Sequence, residues 1–221
     1  MSLNIFEKLQ ELGDAMPESP VADDGTGARK RHSGGLHKPL IWVDLEMSGL
    51  SPERDCILQI AVIITDGSLD REIEGPELVI HQPESVLESM GEWCQEHHAS
   101  SGLVKAVRAS ALDVTAAEAL VMEFILRHVP ASGTAALAGS SIHVDRAFLS
   151  RYMPRIVAHC SHRLVDVSSI DELAWRWNTR VSSAKPRSKG THTAMADIRD
   201  SLELLRYYKK SFFAKPKKRV P

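Results

Sequence analysis

From residue 40 the chain alternates. Leu40, Trp42, Asp44 and Glu46 fall on one side of a period-two ladder, and Ile41, Val43, Leu45 and Met47 on the other. That period predicts a β-strand over 40–47. The run CILQIAVIITD at 56–66 is apolar almost throughout and rich in β-branched residues, the pattern of a buried strand. The segment SGLSPERD between them has turn chemistry. A third strand at 75–82 completes an antiparallel meander. Helical spacing then takes over. Residues 101–110 predict a helix, and 115–129 a better-marked one, opened by a capping box of Thr115 with Glu118 three positions on. A short strand at 135–141 leads into a helix at 143–152 that Pro154 stops. A strand at 163–167, a helix to about residue 178 capped by Ser169 and Glu172, a polar loop at 181–190 and a long helix at 193–213 follow. Strands first, then alternating helix and strand, predict an α/β fold: a mixed five-stranded sheet flanked by helices.

This pattern occupies 39–213, which reads as one domain. In the preceding 1–38, Leu3, Phe6, Leu9 and Leu12 recur at the spacing of a short helix. From residue 17 the stretch is rich in Pro, Gly and charge, the composition of a flexible leader. The tail, 214–221, carries Lys215, Lys217, Lys218 and Arg219. A solvated terminus is its default reading, with a nuclear-import signal or a phosphate-attracting arm as alternatives. A net charge of −2 over 221 residues argues against a surface that coats long nucleic acid; any contact with nucleic acid is expected to be small and local. Cys56, Cys94 and Cys160 are odd in number and far apart, which predicts free thiols in a reducing compartment. No apolar run approaches the roughly 18–20 residues of a membrane span, and the acidic N-terminus lacks a signal-peptide core. The expected location is cytoplasmic, with mitochondrial or nuclear as alternatives.

Three places carry candidate chemistry. Asp44 and Glu46 share a face at the end of an apolar strand, a costly pairing unless a cation lies between them. Their hard oxygens suit Mg²⁺ or Mn²⁺. Alone, an Asp-x-Glu pair does not separate a metal site from a solvated strand end. Asp145 stands in the first turn of a helix that follows a strand, where, taken alone, it reads as an acid that suits the helix dipole rather than as a ligand. His192 and Asp197, in GTHTAMADI, bracket the start of the last helix. With ten histidines in the chain, His192 by itself points nowhere; beside a carboxylate cluster it is the residue type that takes a proton from water near neutral pH. Together, four carboxylates match a site for two divalent ions, roughly 3.5–4 Å apart in such centres, that activate water and stabilise a leaving oxygen.

The segments WVDLEMSGLSPERD, ASSGLV, FLSRYMP, DVSSIDELAWRW and GTHTAMADIRDSLELLRYY resemble the DEDD-type 3′→5′ exonucleases with a histidine in their last motif, over about 40–213. The resemblance implies a ribonuclease-H-like fold, a homodimer, and a preference for RNAs of only a few nucleotides. It implies Asp44, Glu46, Asp145 and Asp197 as ligands of two Mg²⁺ or Mn²⁺ ions and His192 as general base. It also implies Leu50 and Trp93 as the wedge that holds the 3′ base, with His98, Ser141, Arg163 and Ser168 closing off the 5′ phosphate. An apolar wedge and an indole face suit such a grip, because they hold any base without reading it. The family usually has His-Tyr-Arg where this chain has Ser161, His162 and Arg163, and its tyrosine is expected to reach the partner subunit's site; here His162 takes that place. Two other readings stay open: a DNA-directed proofreading exonuclease with the same acids, and a non-catalytic RNA-binding module on the same fold.

Overall fold

The expected central strand pair forms: β1 (Leu40–Met47) lies antiparallel to β2 (Ile57–Thr65), with Asp44 opposite Ala61 and Glu46 opposite Gln59. A computed structural model of the chain describes residues 35–188 and 193–213. The expected leader helix, the basic tail and His192 lie outside the described residues. β3 (Glu72–Val79) adds to the far side of β2, and β4 (Ala136–Gly139) and β5 (Leu164–Asp166) run parallel to β1 on its other side, giving the order β3-β2-β1-β4-β5.

Both faces of this sheet are covered, which is why β2 is buried at all nine positions. On one face Ile41, Val43, Leu45, Ile60 and Val62 pack with Val121 and Ile125 of α4 (Val114–His128), Phe148 and Leu149 of α5 (Ile142–Tyr152) and Ile156 of α6 (Pro154–His159). On the other, Trp42, Ala61, Ile63 and Ala138 pack under Ile198, Leu202 and Leu205 of α9 (Ala194–Ser211). The period-two reading of β1 therefore assigns each side chain to its correct layer.

Several boundaries differ from the expected ones, for identifiable reasons. The third strand runs 72–79 rather than 75–82. As an edge strand it carries Glu72, Glu74 and Glu77, whose charges protect its open side and hide the strand pattern. Three short helices, α1 (Glu84–Ser89), α2 (Glu92–Ser100) and α3 (Leu103–Ala109), connect β3 to α4. Only the last was expected, because α1 and α2 have no apolar stripe and no side-chain cap. The capping box on Thr115 does not form. Asp113 caps α4 by accepting from the Ala116 N–H at 2.8 Å, and buried Glu118 accepts instead from the Arg155 N–H at 2.7 Å, at the start of α6. Pro154 ends one helix and opens the next, since its missing N–H costs nothing in a first turn. Likewise α7 (Val167–Trp177) is capped by Asp166, three residues before the expected cap Ser169, and Glu172 pairs outward with Arg176. α8 (Thr179–Ser183) takes the first part of the expected polar loop.

Candidate active site

Asp44 and Glu46 stand on the α9 side of β1, beyond the buried Trp42, and α9 brings Asp197 to them in its first turn. One carboxylate oxygen from each of the three lies within 4.8 Å of the others. Asp145 arrives from the opposite layer. β4 pairs with β1 only as far as Trp42, so the edge of β1 is open further on, and the Leu45 N–H there donates to Asp145 Oδ1 at 3.0 Å. Gly139 makes that approach feasible: a Cβ at this position would sit 2.9 Å from both the Val43 carbonyl and Ile142 Cδ1. The strand register slips between Glu46 and Met47, a bulge of the kind that re-aims side chains beside functional sites.

The electrostatics follow from crowding like charges in a partly dry place. Burial, then the nearby charges of Asp145, Asp197 and Glu46, push the Asp44 carboxyl well above the carboxylate range. Burial and then Asp197 raise Glu46 to about 7. Burial raises Asp145 to about 7 against the pull of its backbone hydrogen bonds, with Asp166 and Glu46 adding to the rise. Among the described residues no Lys or Arg forms an ion pair with Asp44, Glu46 or Asp145. A divalent cation bound by hard oxygens is the charge that would relieve this repulsion, so the donor set fits such an ion.

Beside Glu46 opens a cleft of about 600 Å³, lined by Leu45, Met47, Gly49, Leu50, Trp93 and His98 among others, within the range of small-ligand sites. Leu50 is 79% and Trp93 68% exposed, an unusual display for such side chains. The loop that offers Leu50 is pinned from three sides. Asp55 accepts from the Ser51 N–H at 2.9 Å and the Ser48 hydroxyl at 3.3 Å. The Tyr152 hydroxyl donates to the Asp55 carbonyl at 2.7 Å and lies 3.2 Å from the Pro52 carbonyl. Gly49 has no room for a Cβ against the Asp55 carboxylate.

His98 belongs to this cleft and is buried, with Nε2 2.9 Å from the Met47 carbonyl and Nδ1 3.8 Å from Glu46 Oε2. A carbonyl only accepts, so Nε2 carries the hydrogen. Burial above all holds this imidazole below its usual range. Ser141 and Ser168 line a separate cleft with His143, Asp166 and Arg176, so the structure does not group His98 with them. His162 and Arg163 are exposed and line neither cleft. Asp166, which sequence reasoning missed, organises the Ser141 side. It accepts from the Ser141 N–H at 2.9 Å and the Ser168 N–H at 3.0 Å, and Oδ2 lies 3.4 Å from His143 Nδ1. Ser141 sits there with φ 52°, a left-handed conformation uncommon outside glycine. The Asp-x-Ser spacing of 166–168 was the available signal, because Asp commonly caps a helix two residues on.

Fold and site together define a nuclease. A family model described as exonuclease matches residues 41–205. The chain resembles exonuclease I of E. coli in its zinc-bound complex with single-stranded DNA, at a TM-score of 0.53 and 15% identity over 80% of this chain. It resembles exonuclease I of Methylocaldum szegediense similarly, at 0.52 and 18% over 79%. In both it spans 41% of the other chain's length, and the likeness shows the shared ribonuclease-H-like fold. Sequence relatives are nearer. The chain is 44% identical to the oligoribonuclease of Arabidopsis thaliana, covering 91% of this chain and 94% of that one. It is 48% identical to that of Halorhodospira halophila, over 80% and 96%. With the human mitochondrial oligoribonuclease the identity is 40%, over 86% and 83%. The chain belongs to the oligoribonucleases, within the DEDD exonuclease family, and is a hydrolase of phosphodiester bonds that depends on divalent metal.

Proposed function

We propose that this chain removes mononucleotides from the 3′ ends of RNAs only a few nucleotides long. The observation that carries the reading is the cluster of Asp44, Glu46 and Asp197, with Asp145 on the Leu45 N–H beside it, and with Glu46 also lining the cleft of the exposed Leu50 and Trp93. In this reading Asp44, Glu46, Asp145 and Asp197 hold two Mg²⁺ or Mn²⁺ ions. When bound, these polarise the scissile phosphate, activate water and stabilise the leaving 3′ oxygen. His192 takes the proton from the attacking water. Leu50 and Trp93 grip the terminal base between an apolar edge and an indole face, which tolerates any sequence. His98, hydrogen-bonded to the Met47 carbonyl, keeps the strand end and the base cleft together.

Ser141, Arg163 and Ser168 receive the 5′ phosphate of a short substrate, so that length becomes the selecting feature. The modest net charge of −2 agrees with a grip that does not extend along a strand. The chain works as a homodimer in which His162 reaches toward the partner subunit's site. Among the described residues no helix is long and apolar enough to cross a membrane. The proposed compartment is cytoplasmic; two mammalian relatives are named mitochondrial oligoribonucleases, which keeps the organelle as the alternative.

The test is a time course on 5′-labelled RNAs of two, four, seven and thirty nucleotides, and on DNA counterparts, with Mg²⁺ or Mn²⁺ and with chelator. Metal-dependent conversion of the shortest RNAs, with the longest nearly untouched, is the expected result. Equal attack on all lengths would remove the 5′ cap from the proposal. Preference for DNA would favour a proofreading-type enzyme, and no cleavage of any substrate would leave a binding module.

A further inference from the structure

We propose that His97 is a positioning residue for the terminal base: stacked behind Trp93, it sets the plane of the indole against which the base lies. The inference rests on the base-gripping reading of Trp93 and Leu50. α2 places Trp93 and His97 four residues apart, on one face of the helix. Their rings stack with centroids 4.5 Å apart and planes within 13°. One face of the indole is therefore covered by imidazole, while the side chain as a whole stays 68% exposed at the cleft it shares with Leu50.

Among the described residues, His97 is the aromatic ring stacked on this exposed indole. α2 is nine residues long and has no side-chain cap at its start. The stack supplies what the helix lacks. His97 meets His98 edge-on, at 6.3 Å and 71°, and His98 is bound to the Met47 carbonyl at the end of β1. Trp93, His97, His98 and Met47 thus form a continuous path from the base platform to the strand that carries Asp44 and Glu46. Fixing the ring before substrate arrives lowers the ordering cost of binding, and it refers the base to the carboxylates that must meet its phosphate.

The experiment compares His97→Ala, His97→Phe and Trp93→Ala with the parent full-length protein, using an RNA dinucleotide and saturating Mg²⁺. Loss of an aromatic partner predicts a KM about threefold to tenfold higher in His97→Ala, larger than any fall in kcat. His97→Phe, which keeps a flat ring, should stay within about twofold of the parent. Trp93→Ala should raise KM about tenfold or more. Independently of activity, emission from Trp93, isolated as the difference from a Trp93→Phe protein, should become more quenchable by iodide in His97→Ala than in His97→Phe. A parental KM in His97→Ala overturns the inference, as does a His97→Phe protein as impaired as His97→Ala. A raised KM in Trp93→Ala with none in His97→Ala defeats this inference alone. A parental KM in Trp93→Ala defeats the base-gripping reading and the inference with it.

Discussion

Asp44 concentrates the chemistry of the site, because the charges of Asp145, Asp197 and Glu46 all bear on its partly buried carboxyl. Asp44→Asn keeps the shape and removes one charge. Activity should fall about a hundredfold or more, with the rise in Tm on adding Mg²⁺ largely lost and the metal-free fold retained. Wild-type turnover in that variant would remove Asp44 from the metal site. His192→Ala, by contrast, should lower kcat about a hundredfold or more and leave the Mg²⁺-dependent rise in Tm in place. Glu46 and Asp145 predict a pH dependence. Their folded values of about 7 lie above the ordinary 4.5 and 3.8, so between those limits the folded metal-free chain holds protons that the unfolded chain has released. Their contribution to stability is present at low pH and is lost as pH rises through about 7. A divalent ion takes the place of those protons, so the Tm gained with Mn²⁺ should be larger at about pH 8 than at about pH 6. An equal gain at both would show that these carboxylates do not bind the ion. At this scale the sequence was informative where spacing alone fixes direction. Asp44 and Glu46 had to share a face of their strand, but nothing local could say that Asp145, a hundred residues from Leu45, would take that residue's backbone N–H.

At the scale of elements, the β1–β2 connection and α2 form the two jaws of the base cleft, and the first is held by hydrogen bonds rather than by packing. Tyr152 ties that loop to α5 through two carbonyls. Tyr152→Phe should leave the core intact, because the ring still stacks on Phe148, and should raise KM for dinucleotides about threefold to tenfold with a smaller effect on kcat. An unchanged KM would mean that the loop holds its shape without the hydroxyl. The elements best read from sequence are β1, β2, α4 and α9, whose apolar periods are long. The misreadings share a cause. Thr115 with Glu118, and Ser169 with Glu172, have the spacing of a capping box, but Asp113 and Asp166 lie nearer the true helix starts, and Glu118 is drawn to an N–H of a different helix. Helix α2 was missed because its nine residues bury only His98 and, in part, Cys94 and His97; the cleft it forms exists only once it lies against the end of β1.

At the scale of the whole molecule, the proposed homodimer would bring His162 to the partner subunit's site. His162 is exposed and lines neither described cleft, as a residue that serves a partner would be. Light scattering on the purified chain should give the mass of a dimer. His162→Ala should lower kcat on dinucleotides about tenfold without changing that mass, and a monomeric yet fully active protein would remove the trans contribution. The sequence by itself determined the class of fold, the layer to which each residue of β1 belongs, and, through a family pattern running well beyond the acids, the kind of chemistry. The first two are set by periods of two and 3.6 residues, which are local; the chemistry followed from the resemblance of whole segments. Only the tertiary structure decided that three carboxylates from β1 and α9 meet within 4.8 Å, that Asp145 joins them across the open edge of β1, and that His98 sits with the base cleft rather than with Ser141 and Ser168. These depend on where β4 stops pairing and on how the helices settle on the two faces of the sheet, distances that no spacing along the chain encodes.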